Sequence, residues 1–330
     1  MASSTPKNKV CILGSGNWGS TAARIVGSNV TKLPAFDNDV KIWVYEEMVD
    51  GKKLTDIINT QHENVNCPKR HRCADAAEAV KGATHIIVVI PHQFIQNLLN
   101  TIHGHTLPNA RAISNQGMTT MTQIIHRTLA IPVSCLSGAN IANEIAEEKY
   151  CETTIGCSDP TRLSYGGLCS TSPTFSDVIG VEFCGALKNI VAVGAGFIDG
   201  LGLGNNTKAA IIRIGFLEMR RLAMHISELR HRDVITTCYG GRNRLLAEAF
   251  VKTGKPMHQL EQEMLNGQKL QGYLTAGEVF SYIDGCGVTD HFPLFTNIYQ
   301  ICYENRSPRS IFDGLNVDFS QDTLGTMAPL

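Results

Sequence analysis

The sequence predicts an α/β protein with an N-terminal doubly wound parallel sheet and a C-terminal all-helical domain. Three observations lead there. Strand and helix patterns alternate from Val10 to Leu136, a glycine turn separates the first strand from the first helix, and long helical patterns take over from Val181. The chain has 330 residues, 43% hydrophobic and 18% charged, more than one core needs. Two domains are therefore expected, 1–176 and 177–330, with the polar stretch around Pro173 as the hinge.

Val10 to Leu13 is a short apolar run that reads as the first strand, and Trp18 to Val26 has apolar residues at helical spacing. A loop is expected over Gly27 to Asp39. Val40 to Tyr45, rich in β-branched and aromatic residues, reads as the second strand. Further strands are expected at His85 to Ile90, Ala110 to Ser114 and Val133 to Leu136. The later helical patterns run over Val181 to Phe197, Thr207 to Leu229 and Leu245 to Val251.

A net charge of -1 and a pI near 6.8 leave no overall field to attract nucleic acid or an anionic membrane, so the expected partner is a small molecule. Eleven cysteines are scattered from Cys11 to Cys302 without a C-x-x-C pair, which argues against a disulfide framework or a zinc ribbon and for reduced thiols. Met1 to Lys9 is polar and lacks the apolar core of a signal peptide, so a cytoplasmic address is expected. His62, Cys67, His71 and Cys73 are metal-ligating types, but their spacing fits no common zinc module and no metal is expected.

Gly14-Ser15-Gly16-Asn17-Trp18-Gly19 follows the first strand and opens the first helix, the context a G-x-G-x-x-G needs to read as a dinucleotide fingerprint. Gly14 permits the tight turn, Gly16 lets a pyrophosphate approach the backbone, and Gly19 lets helix and strand pack closely. The free N–H groups of the helix N-terminus face the phosphates. These features make the N-terminal domain Rossmann-type. Glu46 or Glu47, just after the second strand, is the expected partner of the adenosine ribose and favours NAD over NADP. Lys52 and Lys53, which could soften that preference, read as a solvated helix start.

Lys188 stands alone in the apolar, small-residue segment Cys184 to Gly196. Burial would lower its pKa and fit it for general acid/base work; a structural lysine whose ammonium reaches back to water is the other reading. In the segment from Asp233 to Arg244, Gly240 and Gly241 precede Arg242 and Asn243 at the start of a helix. Exposed N–H groups beside a guanidinium make a seat for a phosphate group, or else a structural arginine on a glycine turn.

The blocks GSGNWGS, INTQHENV, PHQF, GANIA, CETTIGC, GALKNIVAVGAGF, NTKAA, ITTCYGGRNR and LNGQKLQG occur in that order between Lys9 and Tyr303. Together they closely resemble eukaryotic cytosolic NAD-dependent glycerol-3-phosphate dehydrogenases. The resemblance implies a homodimer that interconverts glycerol 3-phosphate and dihydroxyacetone phosphate with NAD as cofactor. It implies Lys188 as the catalytic acid/base, with Asn189, Asp233 and Thr237 around it, and Arg242 and Asn243 on the substrate phosphate. For the cofactor it implies Gly14 to Gly19, Tyr45, Phe94, Ala142, Arg242, Lys269 and Gln271.

Two departures from the family pattern stand out. The family's I-S-x-x-K-G lysine is replaced in Ile113-Ser114-Asn115-Gln116-Gly117, and the chain is shorter after Val65, after Gly117, between Gly156 and Glu182, and between Met219 and Asp233. They motivate an alternative, a catalytically impaired paralogue that binds NAD as a sensor or interaction protein. A further alternative is a related enzyme whose Arg242 meets a carboxylate.

Overall fold

The structure, a computed structural model, describes residues 6–45, 48–49, 52–53, 71–73, 75–108, 111–114, 120–149, 151–158, 174–226, 238, 241–265 and 270–315. The chain forms two compact units, Met1–Leu187 with Ala223–Ile235, and Lys188–Leu222 with Thr236–Leu330.

The first unit begins with β1 (Asn8–Leu13), α1 (Asn17–Val30) and β2 (Phe36–Trp43), followed by the short strands β3 (Met48–Val49), β4 (Lys52–Lys53) and β5 (His71–Cys73). After these come α2 (Ala76–Val80), β6 (His85–Val88), α3 (Ile95–Ile102), β7 (Arg111–Ser114) and α4 (Met121–Leu129). The unit continues with β8 (Val133–Ala139), α5 (Ala142–Ala146), β9 (Glu152–Gly156) and β10 (Thr174–Phe175). Eight strands form one sheet in the order β10-β9-β8-β7-β6-β1-β2-β5, all pairs parallel except β8 with β9. The sheet is thus mixed toward one edge, where a wholly parallel one was expected.

β1 shows why the sheet is covered on both faces. Cys11 and Leu13 pack with Ile86, Val88 and residues of α2, α3 and α4, whereas Val10 and Ile12 pack with Val40, Ile42 and Ala23, Val26 and Val30 of α1. The period-two alternation of side chains delivers neighbours to opposite faces, and both faces are apolar because both carry helices. A fully buried side chain such as Ile12 contributes about 1.5–3 kcal/mol.

Two local expectations are corrected. The interval Gly27 to Asp39 is not a long loop, because α1 runs on to Val30 and β2 starts at Phe36, which is buried against His85 with ring centroids 5.3 Å apart. The polar residues Asp37, Asn38 and Asp39 hid that first half of β2. Lys52 and Lys53 do not start a helix; they pair antiparallel with Val49 and Met48. The hinge expected around Pro173 lies outside the described residues.

The helix α6 (Val178–Gly200) leads into the second unit, which also holds α7 (Asn205–Ile226) as far as Leu222, α8 (Arg242–Thr253), α9 (Met257–Leu265), α10 (Gln271–Gly285) and α11 (Pro293–Tyr303). The mean hydropathy of α6 reaches 1.6 over 18 residues, enough by length and composition to cross a membrane, but 72% of that stretch is buried inside the protein. It is a core helix. Gly196 and Gly200 let α8 approach it closely: a Cβ on Gly196 would lie 2.2 Å from the Arg244 carbonyl oxygen, and one on Gly200 would lie 2.5 Å from Val251 Cβ.

Candidate functional site

The first group of candidate residues lies where the strand order reverses. From β1 the chain moves to β2 on one side and later to β6 on the other, so a crevice is expected outside the carboxyl ends of β1 and β6. Gly14 occupies that point with φ +120, and a Cβ there would sit 2.2 Å from the Val89 carbonyl oxygen. Only glycine fits both the backbone angle and the space. Gly19 is equally confined, 2.0 Å from the Gly14 carbonyl oxygen, so turn and helix are locked together.

Gly16 is different: nothing lies within 4 Å of the place a Cβ would take. It is the N-cap of α1, makes no side-chain cap hydrogen bond, and the first turn carries no acidic residue. The first amides of a 14-residue helix therefore lack an intrahelical acceptor and a repelling carboxylate, a cradle that fits a pyrophosphate. Ser15 is half-buried and its carbonyl accepts the Ser20 hydroxyl at 3.1 Å; Asn17 is exposed, and its carbonyl accepts the Thr21 hydroxyl at 2.9 Å. The Trp18 indole donates to the Asn140 carbonyl at 2.8 Å.

Tyr45 and Phe94 follow β2 and β6 and are 69% and 56% exposed, large apolar surfaces left uncovered at the carboxyl end of the sheet. Ala142 begins α5 just beyond β8. Glu46, Glu47 and Gln116 lie outside the described residues.

The second group belongs to the helical unit. Lys188 is half-buried, flanked in α6 by fully buried Leu187, Ile190 and Val191. Its neighbour Asn189 accepts a hydrogen bond from Asn243 Nδ2 at 2.9 Å, and Asn243 Oδ1 accepts the Gly272 amide at 2.8 Å. Gly272 is the second residue of α10, so Asn243 satisfies one of the amides that a helix start leaves without an internal partner. A Cβ on Gly272 would lie 2.5 Å from the Asn189 carbonyl oxygen, which explains the glycine. The three clasped residues each follow a candidate: Asn189 follows Lys188, Asn243 follows Arg242, and Gly272 follows Gln271. Asp233, Thr237 and Lys269 lie outside the described residues.

Arg242 opens α8, with Gly241 as an N-cap that makes no side-chain bond. It reaches solvent, yet the surrounding protein desolvates its guanidinium enough to lower its pKa; it stays cationic at neutral pH. Asp199 Oδ2 accepts both Lys208 Nζ at 2.7 Å and Arg244 Nη1 at 2.6 Å. Burial opposes ionisation of Asp199, but the two cations outweigh it and hold the carboxyl below its usual range. Cys238 is fully buried; desolvation pushes its thiol up to about 12 against the opposing charges of Lys208 and Lys188. The thiol is neutral at neutral pH.

Sequence reasoning missed Gly272, Asp199, Lys208 and Arg244 as supports. The NTKAA block and the second arginine of GGRNR were the available signals, but only the fold brings Lys208 and Arg244 to one carboxylate.

A Rossmann-type sheet with a glycine turn at its switch point, joined to a helical unit, defines the class of dinucleotide-binding two-domain proteins. Comparison with known proteins narrows it. The family model for the N-terminus of NAD-dependent glycerol-3-phosphate dehydrogenase matches residues 9–163, and that for its C-terminus matches residues 177–313. The cytoplasmic glycerol-3-phosphate dehydrogenase [NAD(+)] of Rattus norvegicus is 49% identical over 329 residues, covering 90% of this chain and 94% of its own. That of Drosophila virilis is 48% identical over 341 residues, covering 93% and 96%. The solved glycerol-3-phosphate dehydrogenase of Saccharomyces cerevisiae superposes with a TM-score of 0.83 at 36% identity, covering 94% of this chain and 100% of its own. The enzyme of Plasmodium falciparum gives 0.85 at 33% identity, covering 94% and 96%. The chain belongs to the NAD-dependent glycerol-3-phosphate dehydrogenase family.

Proposed function

We propose that this chain interconverts sn-glycerol 3-phosphate and dihydroxyacetone phosphate in the cytoplasm, the address printed in the names of its curated relatives, with NAD and NADH as the redox pair. The observation that carries the reading is the Asn189–Asn243–Gly272 clasp, which stands one residue after Lys188, Arg242 and Gln271.

Gly14 to Gly19 would hold the pyrophosphate on the amides that open α1, with Tyr45 and Phe94 offering apolar faces and Ala142, Lys269 and Gln271 completing the cofactor contacts. Bound NADH supplies a hydride to the substrate carbonyl carbon. Lys188 as ammonium donates a proton to the carbonyl oxygen in reduction; in oxidation its neutral amine accepts the hydroxyl proton. Asn189, Asp233 and Thr237 orient that nitrogen. Arg242 holds the substrate phosphate by charge-assisted hydrogen bonds, and because the Asn243 amide group is engaged in the clasp, its contribution is the backbone N–H near the start of α8. Fixing the phosphate supplies remote binding energy that orients the reacting carbon. The assembled form on this reading is a homodimer.

The test follows NADH absorbance on addition of dihydroxyacetone phosphate, alongside NADH titration and sedimentation of the purified protein. Oxidation that requires the phosphate and a dimeric mass are expected. Tight NADH binding without oxidation would overturn the enzymatic reading, and a monomer of full activity would overturn the assembly.

A further inference from the structure

One face of α1 presents Trp18, Thr21 and Arg24 at a spacing of three, which places them in a row along the helix. Each donates to a backbone carbonyl of a single segment more than a hundred residues later. Trp18 Nε1 donates to Asn140 at 2.8 Å and Arg24 Nη1 to Ala146, while the Thr21 hydroxyl shares its one proton between Ala142 at 3.2 Å and the Asn17 carbonyl of its own helix at 2.9 Å. Arg24 Nη2 also pairs with Glu148 at 2.9 Å. Glu148 has a φ of +61, which disfavours a non-glycine residue, and the Arg24 pair stands at that strained end of the segment.

The segment from Asn140 to Glu148 follows β8 and contains α5. Its place in the sheet order says what it would touch. In a doubly wound sheet the dinucleotide straddles the switch point, with the adenosine ribose on the β2 side, so the nicotinamide half falls on the side of β6, β7 and β8. The helix whose N-terminus faces the pyrophosphate therefore also grips, through this row, the wall offered to the other half of the cofactor.

We propose that Trp18, Thr21 and Arg24 are positioning residues for the nicotinamide half of the cofactor, acting by fastening residues 140–148 to α1. The proposal rests on the NAD reading given above. It separates Trp18 from the glycines of its own motif: they make room for the pyrophosphate, whereas the indole serves a wall encoded far along the chain. The fastening is one hydrogen bond at Trp18, a shared one at Thr21, and one hydrogen bond with an exposed ion pair at Arg24, so one loss produces a modest effect confined to half of the ligand.

The test titrates NADH and, separately, ADP-ribose, which lacks the nicotinamide, into the wild type, Trp18→Phe and Arg24→Met. Thr21→Val, close to isosteric, is the variant least able to disturb folding, and thermal melts accompany all of them. Trp18→Phe and Arg24→Met are expected to weaken NADH about fivefold, the scale of one net hydrogen bond, and Thr21→Val about threefold because its bond is shared, while ADP-ribose affinity changes less than about twofold. Equal weakening of both ligands, or no change in either, would overturn the proposal while leaving the NAD reading intact. A wild type that binds neither ligand would instead overturn the NAD reading.

Discussion

The glycine turn of the first unit and the lysine–arginine group of the second solve their tasks over very different lengths of chain. The turn is six consecutive residues, and its key contacts are with backbone: Gly14 against Val89 and Gly19 against Gly14. The second group draws on α6, α8 and α10, tied by a clasp from Asn189 through Asn243 to Gly272. A site made of local backbone geometry tolerates little change in residue type at its own positions. A site assembled from three helices depends also on the contacts that hold those helices in register, here made by the residues next to Lys188, Arg242 and Gln271.

The largest effect that would sharpen this contrast is at Lys188. Lys188→Ala should lower kcat by about 10²- to 10⁴-fold while leaving NADH affinity within about twofold, read by steady-state kinetics and titration. Comparable loss of NADH binding would show that the lysine serves the cofactor rather than the proton.

Next come the glycines. Gly14→Ala and Gly19→Ala force a Cβ into backbone and should cost about 2–4 kcal/mol of stability, visible in thermal melts. Gly16→Ala, with open space around its Cβ, should melt like the wild type yet lose NADH binding. Retained NADH affinity in Gly16→Ala would break the pyrophosphate assignment.

Arg242→Ala should raise KM for dihydroxyacetone phosphate by about 30- to 100-fold, with a smaller effect on NADH, as expected for lost charge-assisted bonds to a phosphate. An equal effect on both would move Arg242 from the substrate to the cofactor.

The smallest effect compares one buried glutamate from each unit. Glu182 accepts the Met121 amide and the Thr122 hydroxyl, each at 2.5 Å, at the start of α4; Glu218 accepts the Leu294 and Phe295 amides at 2.8 and 2.9 Å at the start of α11. Burial dominates both and pushes Glu182 up to about 7 and Glu218 up to about 8. Both folded values lie above the unfolded carboxylate value, so from pH 4.5 upward the native state holds protons that the unfolded chain has released. Their contribution is full below about 4.5 and is lost as pH rises, through about 7 for Glu182 and 8 for Glu218, with a slope of at most about 1.4 kcal/mol per pH unit each. Glu218→Gln should flatten the fall of Tm up to pH 8, and Glu182→Gln up to pH 7. Unchanged slopes would mean that both carboxylates ionise freely in place.

Much of the first unit was legible because its signals are local. Val10 to Leu13 with Gly14 to Gly19 can be read as strand, turn and helix within a dozen residues, since glycine and the apolar period each have one cheap structural meaning. The first half of β2 was not legible, because Asp37 to Asp39 look like a turn until Phe36 is seen buried against His85. In the second unit, Lys188 drew attention as a charge in an apolar helix and Asn243 as a neighbour of Arg242, but nothing announced the bond between Asn243 and Asn189 or the role of Gly272.

By itself, the sequence determined the family, the alternation of the central strands and helices, the glycine turn and the choice of candidate site residues, because these follow from residue type and short-range spacing. Only the tertiary structure decided that β9 runs antiparallel to β8, that the Trp18 indole bonds the Asn140 carbonyl, and that Asp199 is shared by Lys208 and Arg244. Those contacts join residues 9 to 122 positions apart through directional hydrogen bonds and register, and such partners are selected by packing, for which local spacing carries no record.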